Sequence, residues 1–82
     1  MATYKYAAYL AQNQDGSFDQ FYNPGAQTPF AGIFRCAGCG REVVSEFPKP
    51  LPPQNHHQHS PAQGPILWLM VVWADHNPKL AP

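Results

Sequence analysis

Both cysteines of this chain, Cys36 and Cys39, and three of its four histidines, His56, His57 and His59, fall between positions 36 and 59. Thiols at C-x2-C spacing followed by imidazoles at H-x2-H spacing offer the four donors that a tetrahedral zinc ion takes. Two thiolates and two neutral imidazoles also cancel the 2+ charge, which lowers the cost of partly burying the site. The spacing points to Cys36, Cys39, His56 and His59 as the metal ligands, because the i, i+3 separation of these histidines mirrors that of the cysteines. His57 is the alternate ligand. Gly38 and Gly40 allow the chain to curl around the sulfurs through positive φ.

Two other chemistries use parts of this pattern. A C-x2-C redox pair usually opens a helix after a strand, whereas Arg41 to Phe47 alternates as a strand does. A ββα zinc finger needs its second ligand pair on a helix, and Pro48, Pro50, Pro52 and Pro53 lie between the two pairs. Proline costs roughly 3 kcal/mol in a helix interior, so the histidines belong on a loop or knuckle.

The run Tyr22-Asn23-Pro24-Gly25, Pro29, Gly32-Ile33-Phe34-Arg35-Cys36-Ala37-Gly38-Cys39-Gly40 and Leu51-Pro52-Pro53 resembles small bacterial zinc-ribbon proteins. These carry a strand into C-x2-C-G, a hairpin, and a Leu-Pro-Pro lead into a second C-x2-C knuckle. The resemblance covers about Tyr22 to His59. This chain departs from it at the second knuckle, where Gln54 stands in place of the first cysteine and His57 falls near the second. The resemblance implies a zinc-stabilised β-hairpin scaffold with histidines replacing two thiols. It implies no particular biochemical activity.

The elements that position the donors read as short strands. Phe30 to Cys36 and Arg41 to Phe47 form an antiparallel hairpin with the C-x2-C at its tip. Arg35 and Arg41 flank the knuckle and face Glu42 or Glu46 across the strands. Tyr4 to Leu10 reads as a first strand, with Tyr4, Tyr6, Ala8 and Leu10 on one face. Asp15-Gly16 tips a turn, and Phe18 to Tyr22 is a short strand. Asn23-Pro24-Gly25-Ala26 fits a type II turn. Phe47 to Pro53 is an extended, polyproline-like spacer. Ile66 to Ala74 is the strongest apolar segment and reads as a central strand. Together these give an all-β fold, a zinc-ribbon-like antiparallel sheet of about five short strands, with one domain over 1–76 and a frayed tail over 77–82.

An 82-residue chain buries a modest core and commonly needs a metal or an oligomeric partner. Charged residues are 12% and the formal net charge is zero, so the basic stripe of a nucleic-acid binder is lacking. No signal-peptide pattern opens the chain, and the apolar run from Ile66 to Ala74 is too short for a membrane span. A cytoplasmic protein with reduced thiols is expected. The strand over 66–73 is apolar on both faces, so one face is expected to be covered by a protein partner or a second copy in a homodimer. The leading expectation is a structural zinc module that contacts another protein and is not an enzyme. Metal buffering or sensing is the alternative. A zinc-dependent enzyme is a further one, although no carboxylate is placed as a general base and the H-x-E…P-C-x-x-C deaminase pattern is absent.

Overall fold

The structure is a computed structural model and describes residues 1–46 and 49–75. The tail over 77–82, His76, and the Phe47-Pro48 part of the spacer lie outside the described residues. The fold is all-β. Four strands, β1 (Phe21–Tyr22), β2 (Gly32–Cys36), β3 (Glu42–Ser45) and β4 (Trp68–Trp73), form one antiparallel sheet in the order β1-β4-β2-β3. The apolar segment near the C-terminus therefore lies inside the sheet, flanked by β1 and β2, and β2 and β3 make the hairpin that carries Cys36 and Cys39.

The period of two in these strands is visible as burial. Gly32, Phe34 and Cys36 of β2 are buried and alternate with half-buried Ile33 and Arg35. Trp68 and Met70 of β4 are buried and alternate with half-buried Leu69 and Val71. Phe34, Cys36, Trp68 and Met70 thus line one face and meet Leu51 and Ile66 in a single core, against which Phe18, Tyr22, Phe30 and Val43 pack. Each large core side chain contributes roughly 1.5–3 kcal/mol. The other face is partly covered by the N-terminal segment: Met1, Tyr4 and Leu10 line a cleft together with Ile33, Val71 and Val72.

Tyr4 to Leu10, expected as a strand, is not one. Ala7–Tyr9 makes a single 3-10 turn, with Tyr9 N donating to the Tyr6 carbonyl at 3.1 Å and Leu10 N to the Ala7 carbonyl at 3.0 Å. These local bonds suit a segment containing Ala7 and Ala8, which have little strand preference. Tyr4, Tyr6, Tyr9 and Leu10 are 66%, 57%, 84% and 46% exposed, so the alternation there marks no buried face. The edge of β4 is taken instead by β1, through Phe21↔Leu69 and Tyr22↔Trp68. Among the described residues the sheet thus has four strands, consistent with the small all-β sheet of about five expected.

A bulge interrupts the β2–β4 ladder. Ile33 faces Val72 and Phe34 faces Met70, so Val71 is the extra residue. Gly32 sits beside this bulge, and a Cβ there would collide with the Val72 carbonyl oxygen and crowd its carbon at 3.0 Å. Backbone cannot yield as a flexible side chain does. Gly32→Ala is therefore expected to destabilise the protein by at least about 1–3 kcal/mol, read as a lower urea midpoint. A wild-type midpoint would show that the ladder relaxes freely at this point.

The type II turn forms as the sequence indicates: Gly25 has φ +77° and Ala26 N donates to the Asn23 carbonyl at 3.1 Å. Its further role is not evident from the turn motif alone. Gly25 N donates to the Pro52 carbonyl at 2.9 Å, Leu51 N donates to the Ala26 carbonyl at 2.8 Å, and Gln27 bridges Pro50. The proline-rich spacer is thereby laid along the turn, with Leu51 only 2% exposed in the core. This anchoring fixes where the histidine segment begins.

Candidate metal centre

The first donor pair is built by the β2–β3 hairpin. Cys36 ends β2, and a three-residue turn follows. Gly40 N donates to the Cys36 carbonyl at 2.8 Å, and Cys36 N to the Arg41 carbonyl at 2.7 Å, closing the tip. Gly40 has φ +81°, the left-handed conformation that glycine adopts without a Cβ clash. Gly38 has no positive φ and serves a different need. A Cβ there would lie 2.5 Å from the Gln63 carbonyl oxygen and 2.7 Å from Cε1 of His59, so its bare backbone makes room for the second donor pair. Across the knuckle Arg35 and Glu42 are register partners, and their charged groups lie 3.9 Å apart.

The second pair arrives on the loop after Leu51. Gln54–His56 forms one 3-10 turn, which ends at His56. The next residue, His57, is extended, with φ −155° and ψ 168°. Extended chain puts residues i and i+2 on the same side, and His57 and His59 accordingly turn toward the cysteines together. A 3-10 turn at Pro61–Gln63 follows, closed by a capping box in which Ser60 N donates to Oε1 of Gln63 at 2.8 Å. That turn presents the Gly64 carbonyl to Nδ1 of His59 at 2.8 Å.

The donor atoms of Cys36, Cys39, His57 and His59 all lie within 4.8 Å of one another. Cys36 Sγ is 3.3 Å from Nε2 of His59, Cys39 Sγ is 3.4 Å from Nε2 of His57, and the two Nε2 atoms are 3.1 Å apart. A tetrahedral site with ordinary zinc–sulfur and zinc–nitrogen bonds has S···N edges of about 3.6 Å and N···N edges of about 3.3 Å. These three close edges lie within roughly 0.3 Å of the tetrahedral values, and the full set of donor atoms spans up to 4.8 Å. Hydrogen bonding alone accounts for them poorly. Each Nε2 offers one in-plane proton or one lone pair, yet each approaches both a sulfur and the other nitrogen. One central cation satisfies all of these approaches at once, so the four residues are arranged as a site that could hold a metal ion.

His56, favoured with His59 by the i, i+3 spacing, is not brought into this group. That spacing would serve if a helical turn ran through 56–59, but the turn stops at His56 and the chain beyond is extended. His57, the alternate, stands in the group, and Nδ1 of His56 lies 2.9 Å behind it, against Nδ1 of His57. Both rings pack edge-on against Trp68, with centroids 6.0 and 5.8 Å from it. The sequence singles out all five residues; what spacing lacks is the end of the 3-10 turn, which sets which two histidines face the cysteines.

The electrostatics favour metal-ready protonation states. Burial pushes the Cys36 thiol up, but backbone hydrogen bonds from Cys39 and Gly38, one from the Cys39 side chain and one from the Leu67 backbone outweigh it, and its pKa falls below the usual thiol value. His57 is also lowered, first by burial and then by the charges of Arg41, His59 and His56. A lowered histidine stays neutral and keeps its lone pair at neutral pH.

Both shifts have the same sign for stability. For a depressed pKa, the contribution is complete above the ordinary value and is lost as pH falls through the lowered one. The urea midpoint should therefore fall steadily on acidification, most steeply below about pH 6.5, where free imidazole takes up protons. A midpoint that rises between pH 7 and pH 5 would contradict this account of the donors.

Comparison with known proteins places part of this chain. It is 52% identical over 54 residues to a curated Escherichia coli protein called Protein L. The match takes in 66% of this chain and 61% of that protein, so the chain spans about three fifths of the relative's length. No family model matches the chain. No solved structure matches it.

Proposed function

We propose that the protein is a small zinc-ribbon-like module in which Cys36, Cys39, His57 and His59 hold one structural zinc ion. The observation that carries this reading is the convergence of four donor atoms from two separate segments, the hairpin tip and the post-Leu51 loop, all within 4.8 Å of one another. Soft thiolates with imidazoles suit zinc. Four protein donors leave none of the open positions that catalytic zinc keeps for water, which favours a structural role over an enzyme. When bound, the ion supplies a cross-link between hairpin and loop. The module's work on this reading is contact with another protein. Large apolar side chains left at the surface, including Phe21 at 58%, Val44 at 79% and Trp73 at 40% exposure, support it.

One observation favours metal buffering as a second reading: Cys39 is exposed, unlike Cys36, so one thiolate is open to competing chelators and acceptors. Elemental analysis of untagged protein, joined to competition with a chromogenic chelator, tests both. One tightly held zinc per chain supports the structural reading. Micromolar, rapidly exchanging zinc supports buffering. Protein purified and reconstituted with zinc that holds none would overturn both.

A further inference from the structure

We infer that His56 is a positioning residue: its Nδ1 accepts a hydrogen bond from Nδ1–H of His57 and so holds the His57 ring with Nε2 aimed at the metal. The inference rests on the metal reading above and adds a role for a residue that is not itself in the donor group.

The ring protons fix the direction of this bond. Nε2 of His57 and Nε2 of His59 are the atoms that face the sulfurs, at 3.4 and 3.3 Å. A nitrogen that binds a cation must present a lone pair, so in neutral imidazole the proton resides on Nδ1. For His59 that proton has a partner, the Gly64 carbonyl at 2.8 Å. For His57 the corresponding group is Nδ1 of His56 at 2.9 Å. Two ring nitrogens at this distance need one donor and one acceptor. Since His57 must donate, His56 must accept, and His56 is thereby fixed with its own proton on Nε2.

Each metal-facing ring is thus held from behind by a different device. One is a backbone carbonyl set by the capped 3-10 turn at Pro61–Gln63. The other is the imidazole of the preceding residue, placed by the 3-10 turn that ends there and backed by Trp68, 6.0 Å from its centroid. Such partners orient the ligand and raise its basicity, and their loss typically lowers metal affinity 10- to 100-fold.

The test compares three proteins loaded with zinc: wild type, His56→Phe and His56→Asn. His56 is exposed, so neither change threatens the core. Phe keeps a ring beside Trp68 and removes the acceptor, whereas Asn restores one at Oδ1. The expected result is a zinc affinity lowered about 10- to 100-fold in His56→Phe and largely recovered in His56→Asn. Long-range proton–nitrogen correlation should show the proton on Nδ1 of His57 and on Nε2 of His56 in the wild type. Wild-type affinity in His56→Phe, or a proton on Nδ1 of His56, would overturn the inference while leaving the metal site intact. Loss of zinc in both variants, with zinc retained by His57→Ala, would make His56 a ligand and also overturn it. A wild-type protein that binds no zinc sinks the metal reading itself and this inference with it.

Discussion

Stripping the metal with a strong chelator is expected to abolish the ordered structure of the hairpin tip and the histidine loop. Structural zinc contributes roughly 10 kcal/mol or more of apparent folding free energy at neutral pH, while a whole domain is stable by about 5–15 kcal/mol. The four strands here are short, and β1 has only two residues. The loop over 54–64 holds only 3-10 turns and no strand, so on the proposed zinc reading the ion is its main tie to the hairpin. Amide resonances over residues 33–60 should broaden or collapse on chelation and return on adding zinc. Cys36→Ser should reproduce the chelated spectrum even with zinc in excess, because Cys36 is fully buried and a hydroxyl there cannot take the place of a thiolate. A sharp, unshifted spectrum after complete metal removal would show that the fold does not depend on the ion.

The second large effect is expected at Trp68. This residue is fully buried near the start of β4, facing Cys36 on β2 and Tyr22 on β1. It also backs the rings of His56 and His57. Trp68→Ala should cost about 3–5 kcal/mol through lost burial and the cavity left behind. It should weaken metal binding as well, because two imidazoles lose the wall they lean on. Trp68→Phe should cost much less. It keeps a ring, and it removes an indole N–H that is buried with no hydrogen-bond partner among the described residues. Urea melts and zinc competition on the two variants check this. Equal losses in Ala and Phe would mean that the indole, not ring volume, is what the site requires.

The sequence made the candidate metal donors legible and left open which two histidines join the cysteines. The C-x2-C hairpin, the type II turn and the interior strand each carry a strong local signal: paired thiols with glycines, Pro-Gly at fixed positions, and an unbroken apolar run. Local signals of that kind survive folding because nothing distant competes with them. Two features went unread for the opposite reason. Tyr4 to Leu10 alternates like a strand, but pairing depends on which edge is free, and β1 occupies the edge of β4. The choice of His57 over His56 depends on where a three-residue turn ends, and residue spacing alone does not fix that. Gly38 shows a third limit. A glycine between ligands suggests positive φ, whereas here the demand comes from the ring of His59, which is far away in sequence.

The bonds that lay the proline-rich spacer along the Asn23–Ala26 turn also bear on how quickly a metal is captured. Cys39 and His57 are 18 residues apart. Without the spacer docked, that whole length must close for an imidazole to reach a thiolate-held ion. With Pro52 held by Gly25, only five residues (52 to 57) remain free. On polymer grounds the shorter loop saves (3/2)RT ln(18/5), about 1.1 kcal/mol, equivalent to roughly a sevenfold higher effective concentration of imidazole at the thiolates. On the proposed zinc reading the spacer would act before the ion does: the turn shortens the search, and the histidines would close over a metal first caught by the hairpin.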